Sequence, residues 1–578
     1  MPLVVTLWDL VLFSLATFGF GSAVAPRRGT DPLLRFAVGT VAALGFWFVG
    51  GFGGFVLGVS NRATAAFLAL LAVLIVGWRH RCAAALWHEP IVREFAGSWL
   101  AFASWGLGLL ALVRTYSGGG WAGDWAEHWQ RAVFFLEREP LTTRFIGLYS
   151  LTARPPLVNL LVALGLEGST STFAHYQVFM TLFGTLVLLP AWILARRWSP
   201  APETGRWVTL VLMLSPVVAQ NLTFAWTKLP TAFFVLSAIC VLLHPPGATG
   251  IGKAATAGVC LGLGMVSHYS AGPWAVAIVV AIAVGRWRDW RSPALWRETA
   301  VFGAAFALVM GGWLAWAGHH FGWAGALADN TSAQAWQAQS NLEKLAVIGR
   351  NLFATLVPFP LRGEPADGLI VQASRLGRLR DVAFNVYQIS LLPACGLGGL
   401  WIFASRLTKK PSTTITPLVP RVPTSCFYVG VPAAIVLGIA VHAQPDAWGL
   451  AHICLQPLVV IGLAGVAATL AEAAAGARII WAMFASVDVL LGIALHFGLQ
   501  SWALARWIAP SGEGAEWLGA LNRFALRNAV DKARLQVKFF ADEVGTSLPS
   551  AVLILLIVLG WVVIGQRKKL GRLPQSRR

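Results

Sequence analysis

Windows close to the roughly 20 apolar residues that a membrane-crossing helix needs recur from one end of this chain to the other. They fall at 3–23, 36–58, 63–78, 97–113, 176–195, 207–219, 229–243, 254–267, 273–285, 299–318, 383–403, 426–441, 451–470, 479–498 and 549–565. A soluble domain has no use for so many. The mean hydropathy of +0.67 agrees, and charged residues make up only 12% against the roughly 25% usual in soluble proteins. The expected class is an all-α polytopic membrane protein with about 13–15 transmembrane helices, some windows being short for a full crossing.

The formal charge of +19 raises a nucleic-acid partner, which the distribution of charge argues against. With the N-terminus outside and the chain alternating, the inside loops hold Arg27, Arg28 and Arg35, then Arg79, Arg81 and Arg93, then Arg196, Arg197 and Arg206, then Arg286 to Arg297, then Arg406 to Arg421, and the tail Arg567 to Arg578. The short outside loops hold only Arg62 and Lys228. That asymmetry is the positive-inside pattern. It predicts a multi-pass protein of the plasma (inner) membrane, N-out and C-in, whose basic loops meet anionic lipid headgroups rather than nucleic acid. Residues 3–23 read as a retained helix, not a cleaved leader, because the stretch before them lacks Lys or Arg and Asp9 interrupts the apolar run. The cysteines suggest no disulfide framework and no CxxC metal pair.

Three regions follow: an N-terminal transmembrane extension (1–95), a central transmembrane core (96–382) with long outer loops at 115–175 and 319–382, and a C-terminal transmembrane region (383–578) with a third outer loop at 499–548. Each of these loops carries five acidic residues. Spanning a bilayer does not require them, so chemistry is expected on the extracytoplasmic (periplasmic) side.

In the first loop, WAGDWAEHWQRAVFFLERE (121–139) has helical periodicity from Asp124. Trp125, Trp129, Ala132 and Leu136 make one apolar stripe, while Asp124, Glu127, His128, Arg131 and Arg138 fall on the other face. The pattern predicts an interfacial helix with its tryptophans on the bundle and its polar face open to water. Asp124 is also a good helix cap, and Glu127 could simply balance Arg131 one turn on. RPPLVNLLVALGLEG (154–168) comes next: a Pro-Pro start followed by an apolar helix too short to cross.

These segments, with HYQVFMTLFGTLVLLPAWILARRW (175–198), LMLSPVVAQNLTFAWTKLPTAFFVLSAICVLL (212–243) and AGVCLGLGMVSHYSAGPW (257–274), make residues 97–360 resemble the GT-C superfamily of membrane glycosyltransferases. The similarity is to the protein O-mannosyltransferase and lipid A aminoarabinose-transferase type, family 39. It implies a GT-C-like core with juxtamembrane helices in the first long outer loop. It also implies a polyprenyl-phosphate sugar donor, inversion at the anomeric carbon, and an acid after the first outward helix that serves as general base or, in some relatives, as metal ligand. Asp124 matches that place. The chain departs from the pattern in two ways. Many relatives have two adjacent acids where Trp125 follows Asp124 and the next acid is Glu127, and Lys228 stands where relatives often carry Asp.

Attack of an acceptor hydroxyl on a lipid-linked sugar needs a carboxylate to take the proton and cations to stabilise the departing phosphate. Asp124 and Glu127 are the candidate catalytic acids; Arg131, Arg154, Lys228 and His268 are the candidate substrate-binding residues. Lys228 could instead snorkel to the interface, and His268 could be a hairpin-tip residue. A divalent metal is allowed by the resemblance but supported by no ligand spacing, His319-His320 included. The sugar and the glycan, lipid or protein acceptor stay open. A transporter or flippase, a polymerase or ligase of lipid-linked saccharides, or a non-catalytic scaffold of the same fold are the alternatives.

Overall fold

The computed structural model describes residues 2–26, 31–113, 124–244, 250–329, 340–356, 455–495, 497, 538–545 and 548–570. The expected spans 383–403 and 426–441 lie outside the described residues, as does most of the outer loops 319–382 and 499–548. Among the described residues the protein is helical throughout, with a lone bridge between Phe145 and Tyr149. Seven helices are long and apolar enough to cross a membrane, or eight if one bent pair is a single span, and five shorter apolar helices accompany them.

The first rod, α1, runs Pro2–Ser14 and continues through the π-turn Leu15–Gly19 into Phe20–Val24. Helix α2, Pro32–Val56, starts where the Asp31 carboxylate accepts from the Leu33 and Leu34 amides with Pro32 at the first helical position, a favoured start. Helices α3 (Asn61–Trp78), α4 (His80–His88) and α5 (Pro90–Leu110) complete the first third. Helix α6 (Asp124–Glu137) and the short α7 (Leu157–Glu167) form the cap at one end of the bundle. Then come α8 (Phe173–Thr185), α9 (Leu188–Trp198), α10 (Thr204–Leu214), α11 (Pro216–Thr223), α12 (Lys228–Leu243), α13 (Gly250–Ser267), α14 (Ala271–Gly285) and α15 (Pro293–Ala328). After α16 (Asn341–Leu356), the described residues resume with α17 (Gln456–Glu472), α18 (Ala475–Asp488), α19 (Phe540–Val544) and α20 (Leu548–Leu570).

The sequence window 176–195 is occupied by α8 and α9, together Phe173–Trp198, buried from Phe173 to Ala195 and so central in the bundle. Small residues let the neighbouring helices close up. A Cβ on Gly39 would stand 2.2 Å from the Gly21 carbonyl oxygen, and one on Gly258 would stand 2.4 Å from that of Phe302. By contrast α3 exposes Phe67, Leu70, Val73 and Leu74, the outward apolar face expected of a lipid-facing span.

Side-chain contacts sort the loops onto two ends. At one end Arg35 donates to the Pro26 carbonyl, Arg79 to that of Ala25, and Arg206 pairs with Glu94, Arg478 with Glu203 and Arg286 with Glu298. At the other, Asn61 reaches the Phe135 carbonyl and Arg138 those of Val59 and Phe55. Trp8 reaches the Gly168 carbonyl there, and the Phe540 amide donates to Gln177. Among the described residues the arginine-rich connections therefore share one end, and the 124–175 segment caps the opposite one.

A clasp at the capped end joins distant parts of the chain. Asp9, buried in α1, accepts from the Ser169 hydroxyl, and its second oxygen lies 2.5 Å from His175 Nδ1. The other ring nitrogen of His175 is 3.9 Å from Glu543 on α19. Asp9, noted in the sequence only as a break in an apolar run, is thus the residue by which the first helix docks on α8.

Candidate functional site

Helix α6 lies across the capped end with the phase its sequence predicts. Trp125 packs on Phe173 and Phe539, with ring centroids 5.0 and 5.7 Å away, and Trp129 packs on Phe173 and Tyr176 at 5.7 and 5.1 Å. The opposite face differs from expectation. Glu127, His128 and Arg131 do not look into water but are buried, because the turn at 145–154 and helix α7 fold over them.

Beneath that cover lies a charge network. Glu127 Oε1 accepts from Arg131 Nε at 2.9 Å, and Arg154 Nε stands 3.4 Å away. Arg131 also donates to the Leu151 and Ser150 carbonyls at 2.8 and 2.9 Å, and its guanidinium lies 4.3 Å from the centre of the Phe145 ring. Every strong direction of this buried cation is occupied, which is what its desolvation demands. Burial alone would push the Glu127 carboxyl up, but Arg154 and Arg131 hold it down to about 2. His128, desolvated beside Arg154 and Arg131, is lowered to about 3 and stays neutral, its Nδ1 3.4 Å from the Asn159 amide.

Asp124 sits one turn before Glu127 in a different setting. Its side chain keeps 19% of its surface, whereas that of Glu127 keeps none. Asp124 Oδ2 accepts from Trp226 Nε1 at 3.0 Å, and Arg154 stands 3.8 Å from Oδ1. Lys228 lies 3.6 Å from the centre of the Trp226 ring and draws electrostatically on Asp124, a cation–π arrangement. Burial raises the Asp124 carboxyl above its ordinary value; Arg154 and Lys228 pull against that, and the Glu127 anion adds to it. Two carboxylates one turn apart are thus driven in opposite directions, a pattern typical of acid–base sites.

The geometry brings Asp124, Glu127, Arg131, Arg154 and Lys228 together from α6, the Pro-Pro turn and the break between α11 and α12, where the pair Pro216–Thr223 and Lys228–Leu243 bends by 116°. His268 follows α13, in the turn that leads to α14. Its Nδ1 accepts from the Ser270 amide at 3.0 Å, so it shapes the hairpin tip. Its neighbour Tyr269 reaches toward the site, donating to the Thr152 carbonyl at 3.0 Å. Two other groups carried no sequence signal. Trp226 reads as one more interfacial aromatic, and Asp329, at the end of α15, accepts from the Ser150 and Thr152 hydroxyls at 2.5 and 2.8 Å. Among the described residues no group of three or more His, Cys, Asp or Glu side chains could hold a metal ion; His319 and His320 pack against each other's rings.

Fold and site together define a multi-pass helical membrane protein with a partly open carboxylate between two cations at the capped end of its bundle. No family model matches the chain, and no curated protein matches it. Among solved structures it is similar to ArnT from Cupriavidus metallidurans bound to undecaprenyl phosphate, at 15% identity and a TM-score of 0.33, over 66% of this chain and 78% of that one. It is also similar to the oligosaccharyltransferase AglB from Archaeoglobus fulgidus in complex with an inhibitory peptide and a dolichol-phosphate, at 13% identity and a TM-score of 0.40. That match covers 73% of this chain but only 59% of AglB. Likenesses this slight leave the chemistry to be argued from the residues themselves.

Proposed function

We propose that the protein is a GT-C-type glycosyltransferase. It transfers a sugar from a polyprenyl-phosphate donor to an acceptor on the extracytoplasmic side, with Asp124 as general base. The observation that carries this reading is the split between the two acids. Glu127 is enclosed and committed to Arg131 and Arg154, while Asp124 is reachable and faces Arg154 and Lys228. An acceptor hydroxyl against Asp124 would lose its proton to that carboxylate as it attacks the anomeric carbon, while Lys228 and Arg154 receive the leaving phosphate's charge. Glu127 then positions Arg154, and Arg131 anchors Glu127 to the 150–151 carbonyls. The unpaired first-loop acid is thereby supported, since the second carboxylate works on the arginines. A transporter would place its helix break and charges near the bilayer midplane; here the break at 224–227 lies level with Asp124 at the capped end.

The test uses purified protein in proteoliposomes with a panel of polyprenyl-phosphate sugars, following release of polyprenyl phosphate. Asp124→Asn should lower turnover by a factor on the order of 100 to 10,000 and leave binding of undecaprenyl phosphate intact. Lys228→Ala should weaken that binding. Full turnover in the Asn variant would overturn the assignment.

A further inference from the structure

A second site lies away from this cluster, on the seam where α1, α2 and α3 meet α7 and α8. A cavity of about 330 Å³ opens there, at the low end of the roughly 300–1,000 Å³ that ligand pockets span. Its walls are almost wholly apolar. Ala66 and Ala69 on α3, Gly165 on α7 and Phe179 on α8 leave a slot, and Trp47 closes one side with its indole N–H already donated to the Ala16 carbonyl. Only one end is charged, where Arg62 and Glu167 line the rim. That end is level with the cap, since Asn61 bonds the Phe135 carbonyl and Trp8 that of Gly168.

Arg62 acts electrostatically on Glu167, yet among the described residues no ion pair within 4 Å joins them. Two opposite charges held apart at the mouth of an apolar slot match a molecule with an apolar chain and a dipolar head. Neither a plain anion nor a plain hydrocarbon uses both charges. We infer that this seam binds a phosphoethanolamine lipid, with one acyl chain in the slot, its phosphate toward Arg62 and its ammonium toward Glu167. A carboxylate at the rim disfavours an anionic head, which sets this site apart from the arginine-rich opposite end, where anionic lipids gather. The lipid would be a structural wedge between the 1–95 helices and the rest of the bundle, and it does not depend on the transferase reading.

The test is native mass spectrometry of the full chain, purified in mild detergent and offered phosphatidylethanolamine and phosphatidylglycerol of equal chain length in equal amounts. One phosphatidylethanolamine per chain should be retained, in excess over phosphatidylglycerol by roughly two- to fivefold, the discrimination that one exposed headgroup ion contact provides. Ala66→Trp, which fills the slot, should remove the retained lipid. Glu167→Gln should keep a lipid but erase the preference, and Arg62→Gln should weaken retention of both. Equal retention of the two lipids by the wild type, or an unchanged preference in Glu167→Gln, would overturn the proposal. Because Arg62 and Glu167 lie at the rim, their variants decide the matter even if Ala66→Trp fails to fold.

Discussion

Replacing Glu127 with Gln should destabilise this protein far more than replacing Asp124 with Asn. Glu127 is fully enclosed and is the anion that two guanidinium groups share, Arg131 at 2.8–2.9 Å and Arg154 at 3.4 Å. Removing one partner of a buried pair costs about 3–5 kcal/mol because the other charge is left uncompensated. Glutamine keeps an oxygen that can accept from Arg131, and Arg131 keeps its bonds to the Ser150 and Leu151 carbonyls, so the lower end, about 3 kcal/mol, is expected. The acid titration gives a second measure. The Glu127 carboxyl is held at about 2 against an ordinary 4.5. A depressed carboxylate contributes stability that is full above its unfolded value and is lost as pH falls through its folded value. The wild type should therefore shed this contribution between about pH 4.5 and 2, and its advantage over Glu127→Gln should vanish in that window. Unfolding in micelles, followed by tryptophan fluorescence and size-exclusion retention at several pH values, reads both effects. Equal stability at pH 7, or a gap that persists at pH 2, would refute the argument that Glu127 is the anchor. Asp124→Asn, by contrast, removes a partly exposed charge 3.8 Å from Arg154 and should cost less than about 1 kcal/mol.

The raised Asp124 carboxyl predicts a pH–rate profile whose acid limb lies above the ordinary carboxylate range, activity falling as the base protonates; Trp226→Phe, which removes an N–H that favours the anion, should move that limb higher still. A limb at or below pH 4 would contradict it. Trp125→Ala, which empties a site against Phe173 and Phe539, should cost about 3–5 kcal/mol, read as a lower melting temperature in micelles. For orientation, an impermeant thiol reagent applied outside whole cells should label Ser340→Cys and spare Trp290→Cys; the reverse pattern would invert the topology.

The parts of this architecture written in local periodicity were readable from the residues. The phase of α6 is one: Trp125 and Trp129 recur at helical spacing and do face the bundle. So is the short α7 after Pro155-Pro156, because its apolar run stops after about ten residues, too few to cross. The fate of the polar face was not readable. Whether Glu127 and Arg131 meet water depends on a turn at 145–154 that lies at no helical interval from them, and Arg131 finds its carbonyl partners nineteen and twenty residues away. The same holds across longer intervals. Tyr269 reaches toward the site from 117 residues on, and Asp329 joins it from 177–179 residues on, distances at which a single sequence carries no pairing signal.

The clasp at Asp9 has a bearing on how the protein is made. Asp9 leaves the ribosome 166 residues ahead of His175, an interval on the order of ten to thirty seconds at ordinary synthesis rates. An aspartate at a helix centre opposes insertion by roughly 2.5–3.5 kcal/mol, and less as it nears the interface. Until Ser169 and His175 emerge to meet it, α1 is held in the bilayer by the apolar surface of its own length and by early neighbours alone. Its docking on α8 thus waits until α8 itself is made, and the nascent chain passes through a stage in which its first helix lacks this clasp and is open to capture by insertion factors or quality-control proteases.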